Sequence, residues 1–311
     1  MGVEVIVKHL GKKNRRLNMK IEGIIPAMVT LFKGDQEIDE SAIREHIDYL
    51  VDAGVHGIFI LGSTGEFAYL SESEKRQLIE ITTDQIRGKI PLLVGISSTS
   101  TKLAIELAKF AEKKEATAVM AVIPTYFPLE NANIIMHYEK IANAIEIPLY
   151  AYNFPMTTGI DLSPKLVAKL AEREILAGIK ETVTDITHIE KVIELTPDEF
   201  CVICGTELLL KKGLMAGVDG AILGMGNCFP HLLVQIWESH KTNSDDFDKL
   251  WAKFSNVITY LNQPMDYLPS LTKEILIVLE RNIDPQVRSP LRQIKDRLRK
   301  KLEKLREIKG L

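Results

Sequence analysis

Lys180 ends an apolar run, Ile175-Leu176-Ala177-Gly178-Ile179, and is followed at once by Glu181-Thr182. Such a run reads as a strand buried on both faces, as in a parallel sheet. A lysine at its carboxyl end would carry its amine into a dry cup. Desolvation favours the uncharged amine, which is a nucleophile toward carbonyl carbons. The chemistry expected of Lys180 is therefore a Schiff base. Most lysines at strand ends only mark the return to solvent, so the weight falls on the company this one keeps.

Four further segments follow short apolar runs: Gly62-Ser63-Thr64-Gly65-Glu66, Pro124-Thr125-Tyr126-Phe127-Pro128, Tyr152-Asn153-Phe154-Pro155 and Gly224-Met225-Gly226-Asn227. The glycines beside Ser63 and Thr64 let backbone N–H groups approach an anion, and the two hydroxyls add donors. That suits a carboxylate. Tyr152 and Tyr126 can pass protons through hydroxyls, with Ser63 between them. Gly224 is included among the substrate-binding positions. Together these residues describe an α-keto acid held by its carboxylate while Lys180 attacks the ketone. The resulting imine is an electron sink for making or breaking the adjacent carbon–carbon bond. Gly-Ser-Thr-Gly is also a common turn composition, and tyrosines often end strands for packing. It is the fall of all of them on successive strand ends that argues for a site.

The elements that would position them alternate. Eight β-rich runs are read at Gly23–Thr30, Gly57–Leu61, Ile90–Gly95, Thr117–Ile123, Ile147–Tyr152, Ile175–Lys180, Phe200–Cys204 and Gly220–Leu223. Helical periods lie between them. Ile43, Ile47, Leu50 and Val51 share one face, Ser71 to Glu74 form a capping box, and Ser163-Pro164 start a helix. Eight strand–helix units predict an α/β fold, a (β/α)8 barrel, whose chemistry sits at the carboxyl ends of the strands. A doubly wound sheet is the competitor, but no G-x-G-x-x-G follows the first strand. After Leu223 the pattern is helical to the end, so a C-terminal helical bundle is expected. The last stretch puts Ile294, Leu298, Leu302, Leu305 and Ile308 on one side, with a solvated charged face opposite. The expected organisation is an extension over 1–19 outside the fold, with Met19 a candidate for the true start of the protein, a barrel over 20–230 and a helical region over 231–311.

With 311 residues, 46% of them hydrophobic and 26% charged, the chain can bury a large core. A formal charge of −3 supplies no field for nucleic acid, and no apolar stretch is long enough for a membrane. Three cysteines make no disulfide scaffold, so a cytoplasmic home is expected. Cys201 and Cys204 lie three apart on a strand, so they should face opposite ways rather than share a metal. The seven histidines form no metal-spaced pair. His46 is expected on the surface of the first helix, and His56 at the amino end of strand two. Neither a metal nor an organic cofactor is expected.

These segments, with Gly23-Ile24-Ile25-Pro26-Ala27 and Val287-Arg288-Ser289-Pro290-Leu291, resemble the dihydrodipicolinate synthase and N-acetylneuraminate lyase family of class I aldolases. The likeness runs from Ile21 to Leu311. It implies a TIM barrel with a C-terminal helical bundle, usually a homotetramer. It implies Lys180 as the Schiff-base lysine, Tyr152 as the proton carrier, and Ser63 and Thr64 as the carboxylate-binding, proton-relaying pair. Tyr126 matches the tyrosine that this family lends to the neighbouring subunit. The synthases of the family carry an arginine two residues after the proline of Y-N-x-P, where it grips the carboxylate of aspartate semialdehyde. Here that position is Thr157, which cannot replace a bidentate guanidinium. Tyr152-Asn153-Phe154-Pro155, the span from Thr182 to His188, and Cys204-Gly205 look more like 2-keto-3-deoxygluconate aldolases. Thr157 and Thr182 are then the residues expected to touch sugar hydroxyls. The expected reaction is cleavage of a 2-keto-3-deoxy sugar acid to pyruvate and an aldehyde. Dihydrodipicolinate synthase and N-acetylneuraminate lyase are the alternatives.

Overall fold

The computed structural model describes residues 20–260 and 263–307. Eight parallel strands are joined edge to edge: β1 (Gly23–Pro26), β2 (Ile58–Ile60), β3 (Leu92–Gly95), β4 (Ala118–Val122), β5 (Leu149–Asn153), β6 (Gly178–Glu181), β7 (Cys201–Cys204) and β8 (Gly220–Leu223). The Ala27–Phe59 bridge brings β1 back beside β2. The expected barrel is the observed one.

Helices alternate with the strands: α1 (Glu40–Asp52), α2 (Glu72–Ile86), α3 (Thr101–Lys113), α4 (Asn131–Ala142), the short α5 (Pro155–Thr158), α6 (Pro164–Glu172), α7 (Ile186–Leu195) and α8 (Leu210–Ala216). Ser71 and Glu74 close the capping box of α2, and Ser163 caps α6 ahead of Pro164. Beyond β8 come α9 (Pro230–Lys241), α10 (Phe247–Ile258), α11 (Leu268–Val278) and α12 (Asp296–Leu302). Among the described residues no helix is long and apolar enough to cross a membrane.

The strands are shorter than their apolar runs for local reasons. β1 stops at Pro26, and β3 starts only after Pro91. In the run before Lys180, the Ile175 N–H bonds back to the Leu170 carbonyl, so these residues finish the exit of α6 before β6 begins. Gly178 opens β6 because a Cβ there would lie 2.4 Å from the Cys201 carbonyl oxygen and 2.5 Å from the Tyr150 ring. The C-terminal stretch is not one helix. It passes from α12 into a 3-10 turn over Glu303–Glu307, with Leu302 and Leu305 buried toward α11. Leu261, Ile308 and residues 1–19 lie outside the described residues.

Alternation along the strands divides the core in two. Ile25, Phe59, Leu93, Met120, Tyr152 and Ile203 fill the barrel interior. Ile24, Ile60, Val94, Ala121, Ile179 and Leu223 pack outward against the helices. Cys201 belongs to the inner set and Cys204 to the outer, as their spacing requires. Burial pushes both thiols up to about 12.

Candidate active site

Lys180 and Tyr152 are register partners at the carboxyl ends of β6 and β5. Lys180 is only 3% exposed, although it is a lysine. It follows the outward-facing Ile179, so its side chain enters the barrel. Its Nζ lies 4.1 Å from the Tyr152 ring centroid and 5.3 Å from that of Phe59. Among the described residues no carboxylate comes within salt-bridge distance and no hydrogen bond claims it, although the buried Glu207 carboxylate is near enough to feel its charge. A buried amine normally takes such a partner. Aromatic faces stand there instead.

Tyr152 is held on two sides, stacked on Phe154 at 5.8 Å and edge-on to Phe59 at 6.5 Å. Its hydroxyl lies 3.5 Å from Ser63 Oγ, at the end of β2. Thr64 is buried, and a Cβ on Gly224 would stand 3.4 Å from its Oγ1. Ser63, Thr64, Tyr152, Lys180 and Gly224 therefore line one mouth of the barrel.

Above them opens a cavity of about 330 Å3. Ser63 and Thr157 line it, together with Thr125, Thr158, Leu268 and Leu291; Lys180 and Tyr152 are not on its wall but adjoin it through Ser63. Glu66 and Asp266 are the charged residues of the lining, which contains no lysine or arginine. The Thr157 hydroxyl donates to the Phe154 carbonyl at 3.1 Å, and that of Thr158 donates to Phe154 and Ile160. Each has spent its single proton, so toward a ligand it can only accept.

A model of the dihydrodipicolinate synthetase family matches residues 20–309. The chain belongs to that family. It is accordingly a carbon–carbon lyase of the aldolase type. It is 39% identical over 228 residues to the 4-hydroxy-tetrahydrodipicolinate synthase of Methanopyrus kandleri, covering 73% of this chain and 76% of that one. It is 35% identical over 218 residues to the putative 2-dehydro-3-deoxy-D-gluconate aldolase YagE of Escherichia coli, covering 69% and 72%. The crystal structure of YagE with pyruvate superposes with a TM-score of 0.89 at 28% identity, over 93% of this chain and 99% of that one.

Not every residue expected at the site of this family member reaches it within one chain. Tyr126 is 88% exposed, at φ +93°, edge-on to the exposed Phe127 at 4.8 Å. It takes no part in the Ser63–Tyr152 pair. The Thr182 hydroxyl donates to the Gly205 carbonyl at 3.2 Å, tying β6 to the loop after β7.

Four features escaped the sequence reading. His46 is buried, not on the surface. Its Nε2 lies 3.0 Å from Asn227 Oδ1, and burial lowers it to about 4, leaving a neutral ring that can donate. Asn227 in turn accepts from Val29 N and donates to the Ala27 and Gly224 carbonyls, fixing the loops after β1 and β8. Gly205 clears space for the lysine: a Cβ there would stand 2.1 Å from Thr182 Oγ1 and 3.0 Å from Lys180 Cε. Glu207, after β7, accepts from Met225 N at 2.8 Å, and burial raises its carboxyl above the usual range despite that bond. The fourth is an outer layer behind the site. Asn153 donates to Glu181 and Asp161, and His188 Nε2 lies 3.4 Å from Glu181 Oε1. Asn153 and Asn227 stood in strand-end segments already singled out, and the Gly-Thr-Glu after strand seven is a strand end of the same kind.

Proposed function

We propose that the protein cleaves a 2-keto-3-deoxy sugar acid, such as 2-keto-3-deoxygluconate, to pyruvate and a hydroxyaldehyde. Lys180 attacks the ketone carbon and, with loss of water, forms the imine. Ser63 and Thr64 hold the keto-acid carboxylate. A proton leaves the C4 hydroxyl through Tyr152 and Ser63, the C3–C4 bond breaks, and its electron pair runs into the imine to give an enamine. The aldehyde departs, C3 is reprotonated, and water releases pyruvate from Lys180.

The observation that carries the choice of substrate is the cavity wall. Acceptor oxygens from Thr157 and Thr158 line the space where the distal part of the substrate would sit. The lining itself has no cation, and the Arg292 guanidinium beside it is already paired to the Asp266 carboxylate. Sugar hydroxyls supply donors to such a wall. A second carboxylate would find no ammonium or guanidinium there that is not already paired. Thr157 is the contact assigned to the sugar. Thr182 serves the same end at one remove, since its own proton is already bound to Gly205.

The resemblance to the Methanopyrus kandleri synthase supports a second reading, condensation of pyruvate with aspartate semialdehyde. A homotetramer in which Tyr126 completes a neighbour's proton relay fits its exposure and belongs to either reading.

Borohydride added with pyruvate should reduce the imine and leave pyruvate-derived mass on Lys180. An active enzyme with Lys180 unmodified would refute the mechanism. A panel of ketodeoxy acids scored by pyruvate release then ranks the substrates. Faster turnover of aspartate semialdehyde than of ketodeoxygluconate would favour the synthase.

A further inference from the structure

We propose that Lys273 is a positioning residue for the carboxylate-binding loop, acting through Glu66; the inference rests on the Schiff-base reading of the site. Lys273 lies on α11, far from β2 in sequence, and is fully buried. Its Nζ donates to Glu66 Oε1 at 2.6 Å and to the Gln286 carbonyl at 2.5 Å. The other oxygen, Glu66 Oε2, accepts the Arg288 N–H at 2.8 Å. The two segments after β8 thus converge on one carboxylate. Both cations also sit over the Phe32 ring, each 4.5 Å from its centroid.

Glu66 is three residues from Ser63. Its N–H donates to the Ser63 carbonyl at 3.1 Å, and Gly65 N–H to that of Gly62 at the same distance. Its backbone is left-handed, with φ +62°, a conformation that a side chain other than glycine holds only when its surroundings fix it. The Lys273 ammonium and the Arg288 N–H do the fixing. They set the direction of the Glu66 side chain, and through it the turn on which the Ser63 and Thr64 hydroxyls are mounted.

A buried ion pair is weak evidence for stability, because apolar side chains of equal volume often serve as well. What an apolar pair lacks is direction. The consequence falls on keto-acid binding rather than on the chemistry at Lys180, so the readout is a split between half-saturation and limiting extent.

The test titrates pyruvate against borohydride trapping at Lys180, in the wild type and in Lys273→Met, at a temperature where circular dichroism shows both folded. The expected result is a half-saturating pyruvate concentration raised by about tenfold or more, with the trapped fraction at saturation retained. If Lys273→Met does not fold, the double variant Glu66→Gln with Lys273→Met, which leaves no charge buried, is read in the same way. Half-saturation unchanged beside a lowered melting temperature would make the pair a strut only and overturn the proposal. A wild type that is never trapped would remove the Schiff-base reading itself, and this inference with it.

Discussion

The Tyr152 hydroxyl and Ser63 Oγ lie 3.5 Å apart, although the residues are separated by most of three strand–helix units. The same tyrosine presents its ring to the Lys180 amine. One side chain thus covers the Lys180 amine with its face and turns its hydroxyl toward Ser63, as the proposed proton path requires.

Tyr152→Phe separates the two duties. The ring, its stack on Phe154 and the cover over Lys180 are kept, and only the hydroxyl goes. Pyruvate should still be trapped on Lys180, whereas retro-aldol turnover should fall by about 10²–10⁴-fold, the usual worth of a positioned acid–base group. Turnover within a factor of a few of wild type would remove Tyr152 from the proton path.

Gly205→Ala tests the space around the lysine. The new methyl would meet the Thr182 hydroxyl, and the Glu181 carbonyl oxygen at 2.8 Å, as well as Lys180 Cε. Something must shift, and overpacking of this kind costs about 1–3 kcal/mol. Both the melting temperature and the extent of borohydride trapping should drop. A variant that unfolds earlier yet traps fully would show that the lysine does not need this clearance.

The barrel was legible because eight apolar runs alternate with helical periods, and because strand ends can be counted without side-chain contacts. Lys180, Tyr152, Ser63 and Thr64 were legible for the same reason. Their strands are neighbours or face one another across the interior, so placing them on strand ends was enough to bring them together. His46 was misread because a polar residue on an amphipathic helix is normally solvated, and its partner Asn227 is 181 positions away. The Glu66–Lys273 pair spans 207 positions and was invisible on the same ground. Local periodicity reports which face a residue occupies. It carries no record of which distant polar atom satisfies it.

Thr157→Arg tests the choice of substrate. A guanidinium on the cavity wall would give a carboxylate-bearing aldehyde the bidentate partner that the lining lacks. It would also crowd a sugar acid and remove the Thr157 oxygen that accepts from its hydroxyls. The ratio of kcat/KM for aspartate semialdehyde to that for ketodeoxygluconate should rise by about 10–100-fold, the worth of a charged hydrogen-bonding pair. An unchanged ratio would mean that position 157 does not read the distal end of the substrate.

His188 gives the outer layer a pH dependence of known sign. Burial alone would lower its imidazole, but Glu181, and after it Asp161, outweigh that and hold it above its ordinary value of 6.5. The buried Glu181 carboxyl is itself raised, chiefly by desolvation and only partly offset by His188 and Asn153. Glu181 Oε1 and His188 Nε2 face each other at 3.4 Å with no other hydrogen-bond partner at either atom. Both groups bind protons more tightly folded than unfolded. The stability they add is complete below their unfolded values and is lost as pH rises through the folded ones. For His188 that window opens near pH 6.5 and extends upward, with a slope of at most about 1.4 kcal/mol per pH unit. Denaturant midpoints of the wild type should therefore fall from pH 6 to pH 9 more steeply than those of His188→Gln. Parallel slopes in the two proteins would show that the imidazole is not linked to folding. A steeper slope in the variant would reverse the sign of the linkage and show that Glu181 does not raise the imidazole.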